Sequence, residues 1–420
     1  MIKKIIVSLS LLFSLAVAAQ EASSSPYSFY GIGDVKFKGT VENRSMGGIS
    51  VLPDSIHMNI QNPAHYASLK LTNFAIGATY ANSKSKTEIQ EGKARRTALD
   101  YLAIAVPVGK LGIGFGLIPY SSVGYKIEKR ATDANPIYSN YTGIGGINKV
   151  FIGAGYQLTK EFNIGADIQY NFGTIETTNS RYLSGIDFIQ YGTRENNISD
   201  IRGINFNLGL SYQTKLKGNK YSFYSSLIYT PETTLTFENS RSVELVQFLS
   251  NGSVNTIESN EIPVADTKIK LPSKLSFGAG FGELKKWSVG GEVTFLKNSS
   301  LSNRFTDIQG ATFENTIRYS VGGFYIPNYN SYSGYFKRIV YRGGLRYENT
   351  GLVLQDKSIN DVAGTFGLGL PLSGIFSNIN VGVEVGKRGT KYYNLVQENY
   401  FNISIGLSLS DRWFVKRKYD

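Results

Sequence analysis

No cysteine occurs anywhere in the 420 residues of the chain, which excludes a disulfide scaffold and every metal site built on thiolates. Histidine is almost as scarce. His57 and His65 are the only two, and no catalytic constellation can be argued from their spacing. The glycines of "YGIGDVKFKG" lack the strand-to-helix setting of a phosphate loop. The sequence therefore offers no metal cluster, no cofactor motif and no reason to expect an enzyme. Long apolar runs are also missing. After the first residues, no segment approaches the roughly 20 apolar residues that a membrane-spanning helix needs.

The one short apolar run lies at the start. Lys3 and Lys4 precede an apolar stretch from Ile5 to Val17, and Val17, Ala18 and Ala19 end it with small side chains. This is the layout of a secretory signal peptide over residues 1–19, so the mature chain is expected to be exported. Its removal takes the formal charge from +12 to +10. Nucleic acid is a poor partner for an exported protein, whereas anionic lipid headgroups or an acidic protein suit that surplus.

What the chain has in abundance is glycine (45), tyrosine (28) and phenylalanine (24), with a mean hydropathy of only −0.15. In "FNIGADIQYNF", Phe162, Ile164, Ala166, Ile168, Tyr170 and Phe172 alternate with Asn163, Gly165, Asp167, Gln169 and Asn171. That is the period of a β-strand with one apolar and one wet face. The pattern returns in "INFNLGLSYQ" at 204–213 and in "NYFNISIGLSLSD" at 399–411. Strands of ten residues or more, apolar on one face and aromatic near their ends, fit a lipid-facing wall around a polar interior.

Segments of this kind fall near 71–87, 95–109, 111–127, 147–159, 161–176, 201–214, 219–238, 264–284, 286–297, 313–326, 335–350, 361–371, 376–388 and 398–410. The expected fold class is all-β, a transmembrane antiparallel β-barrel of about 14 strands over residues 71–414. Tight connections such as 109–110 and 159–160 alternate with long ones at 128–146, 177–200 and 239–263. Short turns mark the periplasmic rim of such barrels. The connection at 326–336 is the exception, being longer than a periplasmic turn should be. This parity places the N-terminal segment and the chain's end on the periplasmic side of a Gram-negative outer membrane.

Strand parity turns Asp167, Glu292, Arg318, Arg338, Arg342, Arg346, Glu348 and Glu384 inward, with Arg338, Arg342 and Arg346 on one face of one strand. Buried charges demand partners, so these are expected to knit the lumen together. The functional alternative is an anion-attracting constriction or a site for a carboxylate head group. In "SRSVELVQFLSNG", Val243, Val246 and Leu249 stand at helix spacing with Phe248 beside them, a candidate extracellular capture surface. The last strand ends at Trp413 and Phe414, and Lys416, Arg417 and Lys418 make residues 415–420 a periplasmic basic tail, a candidate tag for a partner protein.

Residues 20–70 remain. Pro26, Pro53 and Pro63 with Gly31, Gly33, Gly47 and Gly48 break any regular element, and irregular backbone persists at membrane depth only inside protein or along a cavity. The segment is therefore expected to sit in the lumen as a hatch. Here "RSMGGISVLPDSIHMNIQNPAHYASL" resembles the hatch signature of the FadL family of outer-membrane transporters for long-chain fatty acids and other hydrophobic compounds. Asn62, Pro63 and Ala64 match the family's Asn-Pro-Ala triplet, and Met46, Gly47 and Gly48 resemble its preceding small-residue motif. "KLGIGFGLIPYSSVGY" is similar to its early strand pair. The resemblance implies passive transport of a hydrophobic solute, past the hatch and sideways through a gap where a strand kink breaks the wall. Its PorV-like relatives imply the alternative, a structural or accessory barrel subunit of a larger outer-membrane secretion or assembly complex.

Overall fold

The computed structural model describes residues 25–413 apart from 36–37, 132–135, 184–189, 217, 219, 250–252, 306–309 and 373–376. The expected signal peptide at 1–19, Phe414 and the basic tail at 415–420 lie outside the described residues.

The N-terminal segment carries a two-residue strand β1 (Asp34–Val35), a single helical turn α1 (Val41–Arg44) and two 3-10 turns, Pro26–Phe29 and Pro63–Ser68. Strands follow as β2 (Thr72–Lys86), β3 (Glu91–Val108), β4 (Leu111–Lys129), β5 (Ile137–Gln157), β6 (Phe162–Leu183), β7 (Gln190–Leu216) and β8 (Tyr221–Thr230). Next come β9 (Thr233–Phe248), β10 (Val254–Ile262), β11 (Thr267–Leu271), β12 (Lys274–Glu283), β13 (Trp287–Leu296), β14 (Ala311–Phe313) and β15 (Thr316–Tyr325). A second helical turn, α2 (Tyr335–Arg338), precedes β16 (Val340–Leu354), β17 (Lys357–Pro371), β18 (Asn378–Arg388) and β19 (Gln397–Asp411).

Fourteen of these strands close a ring. Pairing runs in sequence from β2 to β8, passes from β8 to β12 and β13, continues through β15 to β19, and returns when β19 pairs with β2 from Asp411↔Thr72 to Gln397↔Lys86. Every pairing is antiparallel, and the ring returns on itself. The alternation explains the wall. Along β6 and β7, Ile168, Tyr170, Ile204, Phe206 and Leu208 are exposed while Asn171, Asn205 and Asn207 are buried. The apolar face meets lipid and the polar face meets the interior.

Three stretches depart from expectation. β5, β6 and β7 run well past the apolar band, and β9 with β10 forms a hairpin against β7, so most of the expected long loops are strand. Much of these extensions is polar at successive positions, as in "TTNSRY" at 177–182, and leaves little period to read. Secondly, Val243, Val246 and Phe248 lie on strand β9 rather than on a helix; Val246 is wholly buried, and Leu249 follows the strand's end. Their apparent helix spacing does not make an apolar catching helix. Thirdly, the strand expected from 335 begins at Val340, because residues 326–339 form a compact loop with α2.

The N-terminal segment touches walls on all sides. Ser45 packs against Gly367 and Gly382, Met46 and Gly47 against Gly322 and Gly344, Val51 against Gly278 and Gly290, and Pro63 and Ala64 against Gly155, Gly165 and Gly209. A segment in contact with β17, β15, β12 and β6 at once occupies the interior. Gly47 shows why glycine is required there: its φ is +72°, and an added Cβ would stand 2.7 Å from the Leu345 carbonyl oxygen and 2.8 Å from that of Val321. The segment does not begin at the short-turn rim as expected. Ser25 bonds Glu398 near the opposite rim, β1 runs antiparallel to the ascending β4, and the chain reaches the short-turn rim only as it enters β2.

Candidate functional site

The sharpest chemistry lies where the N-terminal segment meets the inward faces of β15 to β19. Arg346 on β16 is buried and donates through Nη2 to Glu384 Oε1 at 2.5 Å and to Asp361 Oδ2 at 3.4 Å. Arg318 on β15 grips Glu348 with two bonds of 3.1 Å, the planar fork that guanidinium and carboxylate favour. Two cations of the N-terminal segment join this wall. Lys38 approaches Asp361 at 3.1 Å and Glu348 at 3.5 Å, and Arg44 approaches Asp100 at 2.8 Å and Glu384 at 3.8 Å. Lys38 thus ties the segment to β16 and β17, and Arg44 ties it to β18 and to Asp100 on β3.

A second set of bonds holds the segment lower down. Glu42 accepts from Asn380 and Ser408 at 2.7 Å each, and Arg342 donates to the same Asn380 at 2.9 Å. Glu292 on β13 accepts from both the amide and the hydroxyl of Ser50 at 2.7 Å. Asp167 on β6 is satisfied by Gln169 and Asn207. Asn62 caps its own turn by accepting from the Ala64 amide at 3.0 Å, and it donates to the Leu210 carbonyl on β7 at 3.2 Å. Pro63 opens that turn, where its missing N–H costs nothing. Met46 and Gly47 lie over the paired Gly322 and Gly344 of β15 and β16, and the Gly47 amide donates to Thr365 at 2.9 Å.

At the short-turn end of the segment, His57 Nδ1 lies 2.7 Å from Asp54 Oδ2, and its Nε2 lies 3.8 Å from Glu42. Burial opposes the charge on His57, but the Asp54 and Glu42 carboxylates outweigh it and raise its pKa above the usual imidazole value. Burial likewise opposes ionisation of Asp54, and contact with His57 and the Ile56 amide holds it down to about 2.

Of the residues expected in the lumen, Asp167, Glu292, Arg318, Arg342, Arg346, Glu348 and Glu384 occupy the inner wall. Arg338 does not. It ends α2 on the short-turn rim, because the chain has not yet entered β16. Parity missed Lys38, Arg44, Asp100 and Asp361. Asp361 shares the inward phase of Ala363 and Thr365 and was readable from the alternation. Asp100 was not, since a register shift between Gly77 and Ala78 turns it inward beside Tyr101.

The wall is not continuous hydrogen bonding. β3 and β4 pair only between residues 102–108 and 111–117. Beyond that, β4 takes β1 as its partner, with Asp34↔Ser122 and Val35↔Ser121, and the Gly124 amide donates to Ser28. A register shift in β4 falls at Pro119. A cavity of about 110 Å³ lies behind this seam, lined among others by Asp34, Lys38, Arg44, Arg96, Glu384 and Arg388. A second of about 110 Å³ is lined by Tyr30, Ile32, Leu301, Arg318, Glu348 and Leu352.

The model of the BamG family matches residues 1–420. The chain belongs to the BamG family. Among curated proteins none matches it. Solved structures with the same fold include a FadL homologue of Pseudomonas aeruginosa, 14% identical over 91% of this chain and 99% of that one, with a TM-score of 0.59. The toluene transporter TodX of Pseudomonas putida is 15% identical over 91% of this chain and 100% of its own, with a TM-score of 0.57. The toluene transporter TbuX of Ralstonia pickettii is 14% identical over 88% and 98%, with a TM-score of 0.54. At these identities the likeness is one of fold: a FadL-like outer-membrane β-barrel.

Proposed function

We propose that this barrel serves as a structural or accessory subunit of an outer-membrane protein assembly complex, with a Bam-related protein as partner. The observation that carries this reading is the lumen. The N-terminal segment occupies it and is held by Lys38, Arg44 and Glu42 against β3, β16, β17, β18 and β19. A hydrophobic solute passing there would have to strip water from, or separate, buried ion pairs, at a cost of several kcal/mol for each ion left unpaired. The family name BamG is consistent with a Bam-related partner.

One observation favours a second reading, hatch-gated lateral transport. The β3–β4 seam is an interruption in the wall, and the barrels named above as toluene transporters share the fold. Gentle-detergent purification of the tagged native protein, with mass spectrometry of co-purifying proteins and lipids, separates the two. The accessory role expects stoichiometric outer-membrane or periplasmic proteins and no enriched small apolar ligand. A lone barrel enriched in such a ligand would reverse the conclusion.

A further inference from the structure

The short-turn rim has one feature that barrel closure does not require. Its other connections are brief, at 109–110, 158–161, 217–220, 284–286 and 372–377, whereas 326–339 spans the gap between β15 and β16 with a folded loop. Ile326 and Ile339 are buried and anchor its two ends. The Asn328 amide donates to the Lys337 carbonyl at 2.8 Å, the Ile326 amide to the Lys286 carbonyl at 2.6 Å, and the Gly334 amide to Ser331 Oγ at 3.2 Å. The backbone is thus tied to itself and to the neighbouring turn.

Its side chains point the other way. Tyr332 is fully exposed, Phe336 is 76% exposed, and Tyr329 and Tyr335 are each 40% exposed. Asn328 precedes them, and Asn330, Ser331, Ser333 and Gly334 stand between. Rigid aromatics set among asparagine, serine and glycine form the composition of protein-recognition loops, in which tyrosine supplies area at low entropic cost and the small polar residues supply adaptable bonding. Because the geometry is already fixed, little order remains to be imposed on binding.

Charge defines the other half of the surface. Lys285 sits over the Tyr329 ring at 4.6 Å, and Arg338 over the Tyr335 ring at 5.6 Å. Among the described residues, neither they nor Lys337 has a carboxylate within ion-pair distance, and Lys286 has Glu283 at 3.4 Å. A cluster of cations with little neutralisation around exposed aromatics is complementary to an acidic surface around an apolar pocket.

We propose that residues 326–339 form a docking knuckle for a soluble periplasmic protein domain that presents an acidic rim around an apolar pocket. This deepens the accessory-subunit reading and rests on it. Aromatic side chains would anchor the contact and the cations would select the partner.

The test places a photo-crosslinking benzoylphenylalanine at position 332 of the full-length protein in living cells, with position 356 on the opposite rim as the control. Position 332 is expected to crosslink a soluble, acidic periplasmic protein that position 356 does not reach. Lys337→Glu with Arg338→Glu should cut that yield about tenfold while the folded barrel, read by heat-modifiable gel mobility, stays at wild-type level. Crosslinks to phospholipid alone, to another barrel alone, or to nothing would overturn the proposal, as would a yield indifferent to the charge reversal. Stoichiometric partners retained by the purified protein in those cases would leave the accessory role standing. A purified barrel with no protein partner would sink both.

Discussion

Arg346 shows how much of the interior rests on single side chains. Its guanidinium faces Glu384 and Asp361 from inside the wall. Arg346→Met leaves two buried carboxylates without that cation, and such a loss costs about 3–5 kcal/mol. Thermal or urea unfolding in detergent should register it, with part recovered when Glu384→Gln is added. His57 sets a pH dependence of opposite sense to that of a carboxylate. Its folded pKa lies above the unfolded value of 6.5, so its stabilisation is complete below pH 6.5 and is lost as pH rises through the raised folded value. Asp54 contributes in the other direction, losing its share only as pH falls towards about 2. Protease cleavage near residues 54–57 should therefore quicken on the alkaline side, and His57→Gln should flatten that rise. At this scale the sequence was legible wherever alternation was strict, as for Glu292 and Glu384. It failed at Asp100, where a bulge breaks the phase, and at Arg338, where a loop replaces the strand.

Elements were readable in proportion to the contrast between their two environments. β19 separates lipid from a wet interior residue by residue, and its expected span of 398–410 differs by one residue at each end from Gln397–Asp411. β7 begins at Gln190, eleven residues before its expected start, because "RENNISD" is polar at every position but Ile198 and signals no period. The β9–β10 hairpin belongs to the same class. It pairs with β7 but lies outside the ring, so closure does not depend on its tip. Replacing residues 244–259 with an Asn-Gly turn should leave the barrel folded by gel mobility and lower its melting temperature only slightly. Loss of the folded form would mean that the hairpin helps to set the register of β8 against β12.

For the molecule as a whole, the strand count and the closed topology follow from the sequence, and the family match and the FadL-like neighbours agree with them. The direction of the N-terminal segment does not follow, because nothing in its irregular residues states which end of the lumen comes first. Ser25 lies beside Glu398 on the rim where the strands run long, and Leu71 lies on the rim of short turns. With short turns facing the periplasm, an epitope inserted just ahead of Ser25 should be stained by antibody on intact cells, and one inserted between Gly109 and Lys110 only after permeabilisation. Equal staining of both would reverse the assigned orientation. The lumen's contents are then something a cell could display: Ser25 and its neighbours would stand open to phage, antibody or neighbouring cells beside the long strand ends.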